Sequence, residues 1–309
     1  MKKQIEMSTA LVLALVITAC DPADAGIDPA VHEAEVLEWR AGRLARLVAP
    51  NGYLTQVGLF WLEDGAYTMG SAADSDIRLP ATAEAQLGRL LVDGKEVRMQ
   101  VNEGAEVLNG EQAVSDIVLP PDTSGEVVIL AHRSIAWSIV ERGGKLAVRV
   151  RDYEHPWVES FGPLPYYDID PGLRITGILR PYAEPREIKV NTVIEGFQQT
   201  QLAPGVVAFE IDGQTFELEP TNSGDSLFFV FGDDTNRDET YGAGRFLYAD
   251  MPGEDGKVVL DFNKSYSPPC AFNDFSTCPV ASPRNRLPIR IEVGEKYDKN
   301  LHYPGIGGH

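Results

Sequence analysis

The chain reads as mostly β: two β-rich domains, a sandwich followed by a sandwich or barrel, after a short N-terminal helix. Three observations give that class. Short apolar runs recur along most of the text with turn residues between them, at roughly ten-residue spacing. Apolar residues at helical spacing are confined to one segment near the N-terminus. The 29 Gly and 21 Pro among 309 residues interrupt the text too often for many long helices. No fixed repeat period is visible, which excludes a solenoid or a propeller.

Residues 1–19 read as an export signal. Lys2 and Lys3 precede the apolar run from Ala10 to Ile17, and small residues follow. The run is too short to span a bilayer, and Asp21, Asp24 and Asp28 come directly after it. Ile17-Thr18-Ala19-Cys20 resembles a bacterial lipobox. That likeness implies cleavage before Cys20 and acylation of its thiol and amine, with chains such as palmitate. Two or more chains hold a protein stably on a membrane where one does so marginally. The expected partner is therefore a lipid bilayer, and the expected place is the cell envelope, facing the periplasm. Asp21 resembles an inner-membrane retention signal. Residues 20–30 form a polar tether.

The formal charge is −19, and loss of Lys2, Lys3 and Glu6 with the leader makes it about −20. So acidic a surface argues against nucleic acid and against direct contact with anionic lipid.

Residues 31–152 form the first domain. Val36, Leu37, Leu44 and Leu47 repeat at helical spacing, with Trp39, Arg40, Arg43 and Arg46 interleaved. Asp28-Pro29 supplies a cap and a first-turn proline, and Ala49-Pro50-Asn51-Gly52 ends the helix. From Tyr53 to Asp152 the apolar runs include 57–62, 88–94, 97–101, 127–130, 135–140 and 146–150. Asp93-Gly94 and Asn109-Gly110 are hairpin dipeptides. The stretch from Gly65 to Pro80, with Gly70-Ser71 and Asp76-Ile77-Arg78-Leu79-Pro80, resembles the opening of a forkhead-associated sandwich. The phosphothreonine clamp of that family has no counterpart in 81–88, so phosphopeptide binding is not carried over.

The second domain covers residues 153–296 and begins at a seam rich in Pro and aromatics, Asp152-Tyr-Glu-His-Pro-Trp157. Strands are expected at 174–179, 187–193, 206–211, 214–218, 227–231, 245–248, 258–262 and 287–292, with Asp212-Gly213 as a tight turn. Residues 297–309 are a tail. Several long, ordered motifs fall here: Phe231-x-x-Asp234-Thr235, Thr240-Tyr241-Gly242-x-Gly244-Arg245-Phe246-Leu247, Asp261-Phe262-Asn263, and Cys270-x7-Cys278-Pro279 followed by Asn285-Arg286-Leu287. These resemble the core pattern of the bacterial family known as domain of unknown function 1684. Trp61-Leu62-x-x-Gly65 and Leu79-Pro80 extend the likeness upstream. The family has no assigned activity, so the resemblance implies fold and boundaries rather than chemistry.

Two cysteines, Cys270 and Cys278, flank a Pro-rich loop. In an oxidising compartment they most simply form a disulfide. Zinc would need two further ligands, and His302 and His309 sit in the tail, so no metal is expected. Tyr241, Arg245, Asn263, Asn285 and Arg286 are candidate ligand-binding residues, the two arginines clamping a carboxylate or phosphate. Asp234 and Asp261 are candidate catalytic groups, acid and base if burial separates their pKa values. The reading these residue types favour over a pocket is that all seven form a buried network that sets turns and pins the cysteine loop. His155, at the seam, is the histidine best placed for a cleft. No nucleophile elbow, zinc helix or phosphate loop appears, and Gly242-Ala-Gly244-Arg lacks the third glycine of a nucleotide motif. No cofactor is expected.

The expected function is an anchored binding or scaffold protein for a small anion or an envelope polymer. The alternative is a hydrolase using Asp234 and Asp261.

Overall fold

The computed structural model describes residues 27–303. The leader, Cys20 and Asp21, and His309 lie outside the described residues. Helix α1 (Pro29–Val48) starts where Asp28 Oδ1 accepts the Ala30 N–H at 2.8 Å, with Pro29 in the first turn. The cap satisfies one orphan donor, and the proline removes another that had no partner to lose. One stripe of the helix is buried: His32, Val36, Arg43 and Leu47.

That stripe also ties α1 to the second β unit. The sequence reading grouped it with the first β unit, yet its polar contacts run to the second. His32 Nε2 lies 3.0 Å from Asp261 Oδ2, and Arg40 donates to the Tyr167 carbonyl at 2.9 Å. Arg43 Nε donates to Glu295 Oε2 at 3.1 Å, and its Nη2 to the Ser267 carbonyl at 2.9 Å. Buried polar groups must be paired, and the acceptors for this helix lie more than a hundred residues downstream.

The first β unit comprises β1 (Gln56–Leu62), β2 (Gly65–Gly70), β3 (Ile77–Arg78), β4 (Gly88–Asp93), β5 (Glu96–Val101), β6 (Leu108–Asn109), β7 (Gln112–Ala113), β8 (Asp116–Val118), β9 (Leu130–His132), β10 (Ile135–Arg142) and β11 (Lys145–Asp152). They form two sheets, in the orders β1-β11-β10-β9-β6-β7 and β3-β2-β4-β5-β8. Met69, Ile77, Leu90 and Met99 from one sheet meet Trp137, Ile139 and Val148 from the other in a common core. This is a sandwich, as the alternation of apolar and polar residues requires. The turn between β4 and β5 has Gly94 at φ +57°, where the hairpin needs a left-handed residue.

After the short helix α2 (Pro156–Ser160) the second unit follows: β12 (Arg174–Asn191), β13 (Gln198–Ile211), β14 (Gln214–Leu218), β15 (Thr221–Ser223), β16 (Ser226–Phe231), β17 (Arg245–Asp250) and β18 (Lys257–Asp261). The sheets β14-β13-β12-β18 and β15-β16-β17 face one core that contains Phe209, Phe229, Phe231, Leu247, Leu260 and Phe262. Because β17 runs beside β18 and β15 beside β13, the two sheets curl into a half-open barrel.

Three sequence expectations change here. Residues 174–179 and 187–193 were separate strands; they join as β12, which carries Pro181 and Pro185 across a bulge between Pro181 and Arg186. A bulge is where a strand tolerates proline. Residues 287–292 form no strand, because Pro288 interrupts the ladder and the carbonyls beyond it accept from a side chain instead. The tail is docked as far as it is described: Tyr303 N donates to Phe272 O at 2.8 Å, and His302 Nε2 is 3.0 Å from Asp274 Oδ1.

The loop 270–278 clasps the two units together. Asn273 Nδ2 donates to the Tyr53 carbonyl at 2.9 Å, and Ser276 Oγ donates to Gln56 Oε1 at 3.2 Å. Phe275 is fully buried among Leu59, Val140 and Ala147 of the sandwich.

Two outcomes follow. Trp137, the largest fully buried side chain, leaves a cavity when cut to alanine. Urea unfolding of Trp137→Ala is expected to show a loss of about 3–5 kcal/mol; a loss under about 1 kcal/mol contradicts the shared core. His155 Nδ1 accepts the Trp157 N–H, so the neutral ring donates from Nε2 to Tyr303 Oη at 3.1 Å. Burial holds this imidazole below its ordinary value. Its contribution is therefore complete above about pH 6.5 and is lost as pH falls through the lower folded value. The hydrogen-exchange protection factor at the Tyr303 amide should fall on acidification in wild type and show no such pH step in His155→Gln.

Candidate functional site

The ordered motifs of the second unit fold into hydrogen-bonded turns and strand ends. Arg245 opens β17 and is completely buried. It forms an ion pair with Asp233 and donates to the carbonyls of Val293 at 2.6 Å and Ile291 at 2.8 Å. Gly244 precedes it at φ +115°, where a Cβ would lie 2.6 Å from the Phe231 carbonyl. Only glycine fits. Asp233 also caps Thr235, whose hydroxyl meets that of Thr240 at 2.8 Å. Asp233, Thr235, Thr240 and Arg245 are thus one buried knot fixing the base of β16–β17, with the Asp234 side chain outside it.

Asn285 Nδ2 donates to the carbonyls of Glu219 at 2.9 Å and Val230 at 3.1 Å, and its Oδ1 accepts the Glu219 N–H. Asn263 does the same for Asp170, donating to its carbonyl at 2.8 Å and accepting its N–H at 2.9 Å. Asp261 is held by His32 and by Lys264 at 3.5 Å. Tyr241 packs edge-on against Tyr297, ring centres 5.2 Å apart, and burial raises its hydroxyl pKa. Arg286 and Asp234 are exposed.

The arginine clamp is therefore not what the structure builds: Arg245 turns both its Nη donors to groups inside the protein while Arg286 faces solvent. The carboxylate pair is not assembled in one cleft either, since Asp261 is buried against α1 and Asp234 is exposed on the turn after Phe231. No group of three or more His, Cys, Asp or Glu that could hold a metal occurs among the described residues.

A cleft lies elsewhere. Between the C-terminal half of α1 and the outer face of β16–β17 runs a groove of about 710 Å³. Trp39, Arg43 and Arg46 line it from the helix, Asn51 and Tyr53 from the segment after it, and Phe228, Phe246, Tyr248, Tyr266 and Pro269 from the barrel. Helical spacing puts 39, 43 and 46 on one face, and strand alternation does the same for 246 and 248. Phe228 sits opposite Tyr248 in the ladder.

The rings form a continuous series. Centre-to-centre distances are 5.9 Å for Trp39–Tyr266, 5.8 Å for Tyr266–Phe246, 4.8 Å for Phe246–Phe228 and 4.8 Å for Phe228–Tyr248. The spacings are those at which aromatic pairs attract. Phe246, in the middle of the series, is buried, Trp39 at one end is half-buried, and the other end is open, Tyr248 being 48% exposed and the neighbouring lining residue Tyr53 44%. Arg43 lies over the Tyr266 ring at 4.5 Å and is neutralised by Glu295. Arg46 is exposed on the rim, and no ion pair among the described residues engages it. Burial raises the pKa of the Tyr53 and Tyr266 hydroxyls, so both are neutral donors at ordinary pH.

The groove residues were absent from the sequence-derived candidates. The one signal was the Trp39-x3-Arg43-x2-Arg46 stripe on α1, which needs its partners from β16 and β17 before it reads as a site.

Residues 159–296 match the family model described as protein of unknown function (DUF1684). No curated protein matches the chain. Among solved structures, the chain is similar to the solution structure of the uncharacterized protein from gene locus rrnAC0354 of Haloarcula marismortui. The identity is 27% over 45% of this chain and 79% of that one, with a TM-score of 0.39.

The Arg245–Asp233 knot gives a clear test. Arg245→Met alone leaves a buried carboxylate without its cation, and thermal or urea unfolding should show a loss of about 3–5 kcal/mol. The double variant Arg245→Met/Asp233→Leu should recover a good part of that loss. Equal losses in the single and double variants would falsify the ion-pair role.

Proposed function

We propose, for a chain whose residues 159–296 belong to the DUF1684 family, that this protein is a binding protein. It takes a small ligand with a ring face and one acidic group, an acidic sugar unit, in the groove between α1 and β17. One observation carries this reading: an aromatic series that ends in an exposed ring, in a groove whose lining also includes an arginine with no ion-pair partner among the described residues. Binding sites are concave, lined by aromatic side chains, and carry a few polar groups that orient the ligand. A groove of 710 Å³ falls within the usual range for small-molecule sites and holds one or two sugar units. Sugar faces stack on the flat apolar surface of Trp39 and Tyr248, and Arg46 meets the acid through charge-assisted hydrogen bonds.

The overall charge of −19 sets a limit. A densely charged polyanion is repelled by this surface, so the ligand carries few charges, as a single acidic sugar or a sparsely charged envelope polymer does. The hydrolase alternative receives no comparable support, because neither Asp234 nor Asp261 lines the groove. Phosphopeptide binding by the first sandwich receives none either: Ser71 Oγ donates to its own loop, at Ala83 O.

The same proposal includes the membrane anchor. No helix among the described residues is long and apolar enough to cross a membrane, and the reading rests on the Ile17-Thr18-Ala19-Cys20 motif alone. Mass spectrometry of protein extracted natively from membranes should find Cys20 as an acylated N-terminus; an uncut leader excludes the anchor.

The binding claim is tested by calorimetric titration with glucuronate-containing and glucose-containing disaccharides. Wild type should prefer the acidic sugar. Trp39→Ala and Tyr248→Ala should each weaken it about tenfold, whereas Arg46→Gln should abolish the preference over the neutral sugar. Absence of binding, or affinities that ignore all three substitutions, removes the groove from consideration.

A further inference from the structure

Beneath the floor of the groove lies a second chemical feature that ligand binding does not use. Cys270 and Cys278 are each 5% exposed and share an apolar cluster with Val230, Phe246 and Ala281. Both are free thiols in this structure. The Cys270 N–H donates to Cys278 Sγ at 3.2 Å, and the Cys278 N–H donates to Cys270 Sγ at 3.3 Å. Such reciprocal bonds bring the two sulfurs together across the mouth of the clasp loop. Cys270 Sγ also donates to the Ser276 carbonyl at 3.1 Å, so the loop is wrapped around its own thiols.

A basic residue lies on the strand face that the loop packs against. On β11, residues alternate between faces, so Ala147, Arg149 and Arg151 share one. Ala147 packs against Phe275 of the loop, and Arg149 lies on the same face of the strand two residues on. Arg151 is occupied by the Gly52 carbonyl and the Thr55 hydroxyl, and Arg142 by Asp122. Arg149 has neither an ion pair nor a hydrogen bond among the described residues, and its Nε is buried without a partner. Burial, with Arg142 and Arg151 nearby, pushes its guanidinium down to about 10. A largely buried cation with no fixed anion is costly. Burial also holds the Cys278 thiol well above its ordinary value, with Cys270 adding to the rise and Arg149 opposing it.

We infer that Cys270 and Cys278 are a dithiol–disulfide modification site that closes by exchange with a low-molecular-weight disulfide, with Arg149 supporting the thiolate of Cys278. The small thiolate fraction that the raised pKa leaves on Cys278 attacks one sulfur of the disulfide RS–SR; the S–S bond breaks and RS⁻ leaves. Cys270 then gives its proton to solvent and attacks the Cys278 sulfur of the mixed disulfide, expelling the second RS⁻. The two thiols lose two protons and two electrons in all, and one RS–SR becomes two RSH. Arg149 is the positioning residue, since a nearby cation favours the thiolate that performs the attack. The bridge locks the clasp that carries Asn273, Phe275 and Ser276 into the sandwich.

The experiment incubates the full chain with oxidised glutathione, quenches in acid, alkylates in denaturant without reductant, and maps the peptides. A cross-linked 270–278 product and no alkylation at either cysteine are expected. Persistent alkylation of both overturns the site. Cys270→Ser should stop at a glutathione adduct on Cys278, and an unmodified Cys278 contradicts the order of attack. Arg149→Met should close about tenfold more slowly, with the pH midpoint of closure moved upward. Arg149→Lys should restore both. A wild-type rate and midpoint in Arg149→Met overturn the part assigned to Arg149.

Discussion

The buried pair between Arg43 and Glu295 sets the geometry on which the rest depends. Neither side chain can stay charged in an apolar interior without its partner. Glu295 completes its bonding with the Ser267 N–H at 3.1 Å, and Arg43 with the Ser267 carbonyl. One turn of α1 is thereby tied to two distant points of the chain. His32 against Asp261 ties the other end. With the helix held at both ends over the barrel, its Trp39 and Arg46 have no choice but to overhang β16 and β17. The groove is a consequence of that tether, and so is the aromatic series within it.

A second constraint works at right angles to the first. The clasp loop is anchored inside the sandwich by Phe275 and braced by Asn273, while its ends are held by the paired cysteines. Tyr53, on the rim of the groove, is the residue whose carbonyl accepts from Asn273. The rim and the redox site are therefore mechanically connected. The sandwich supports the shape of the groove without supplying much of its lining.

Much of this was legible in the sequence, and the limits follow a pattern. Local grammar held: Asp93-Gly94 and Asp212-Gly213 turn where hairpins were expected, with Asp212 and Gly213 both at positive φ. The strands 57–62, 214–218 and 227–231 fall within a residue or two of β1, β14 and β16. The ordered motifs around Arg245, Asn263 and Asn285 did mark residues under strong constraint. What the text could not say is whether constraint meant a pocket or a knot, since a buried arginine and a ligand-binding one have the same letter. The answer came from acceptors at 233, 291 and 293, which are brought together only by the folded chain. The aromatic groove was hidden for the same reason. Its rings come from positions 39, 53, 228, 246, 248 and 266, and no spacing rule links them.

Burial chemistry explains the remaining departures. Residues 287–292 have a strand-like composition, but Arg245 takes the carbonyl of Ile291 and fixes the backbone in another course. The tail up to Tyr303 packs because His155, Trp157 and Phe275 offer it rings at 4.6 Å, 6.3 Å and 6.4 Å.

The most direct measurement is a crystal structure of the full chain soaked with a glucuronate-containing disaccharide. The sugar should lie in the groove with its ring face against Tyr248 or Trp39 and its carboxylate within hydrogen-bond reach of Arg46. A groove left empty at saturating sugar, or a ligand bound away from α1, contradicts the account.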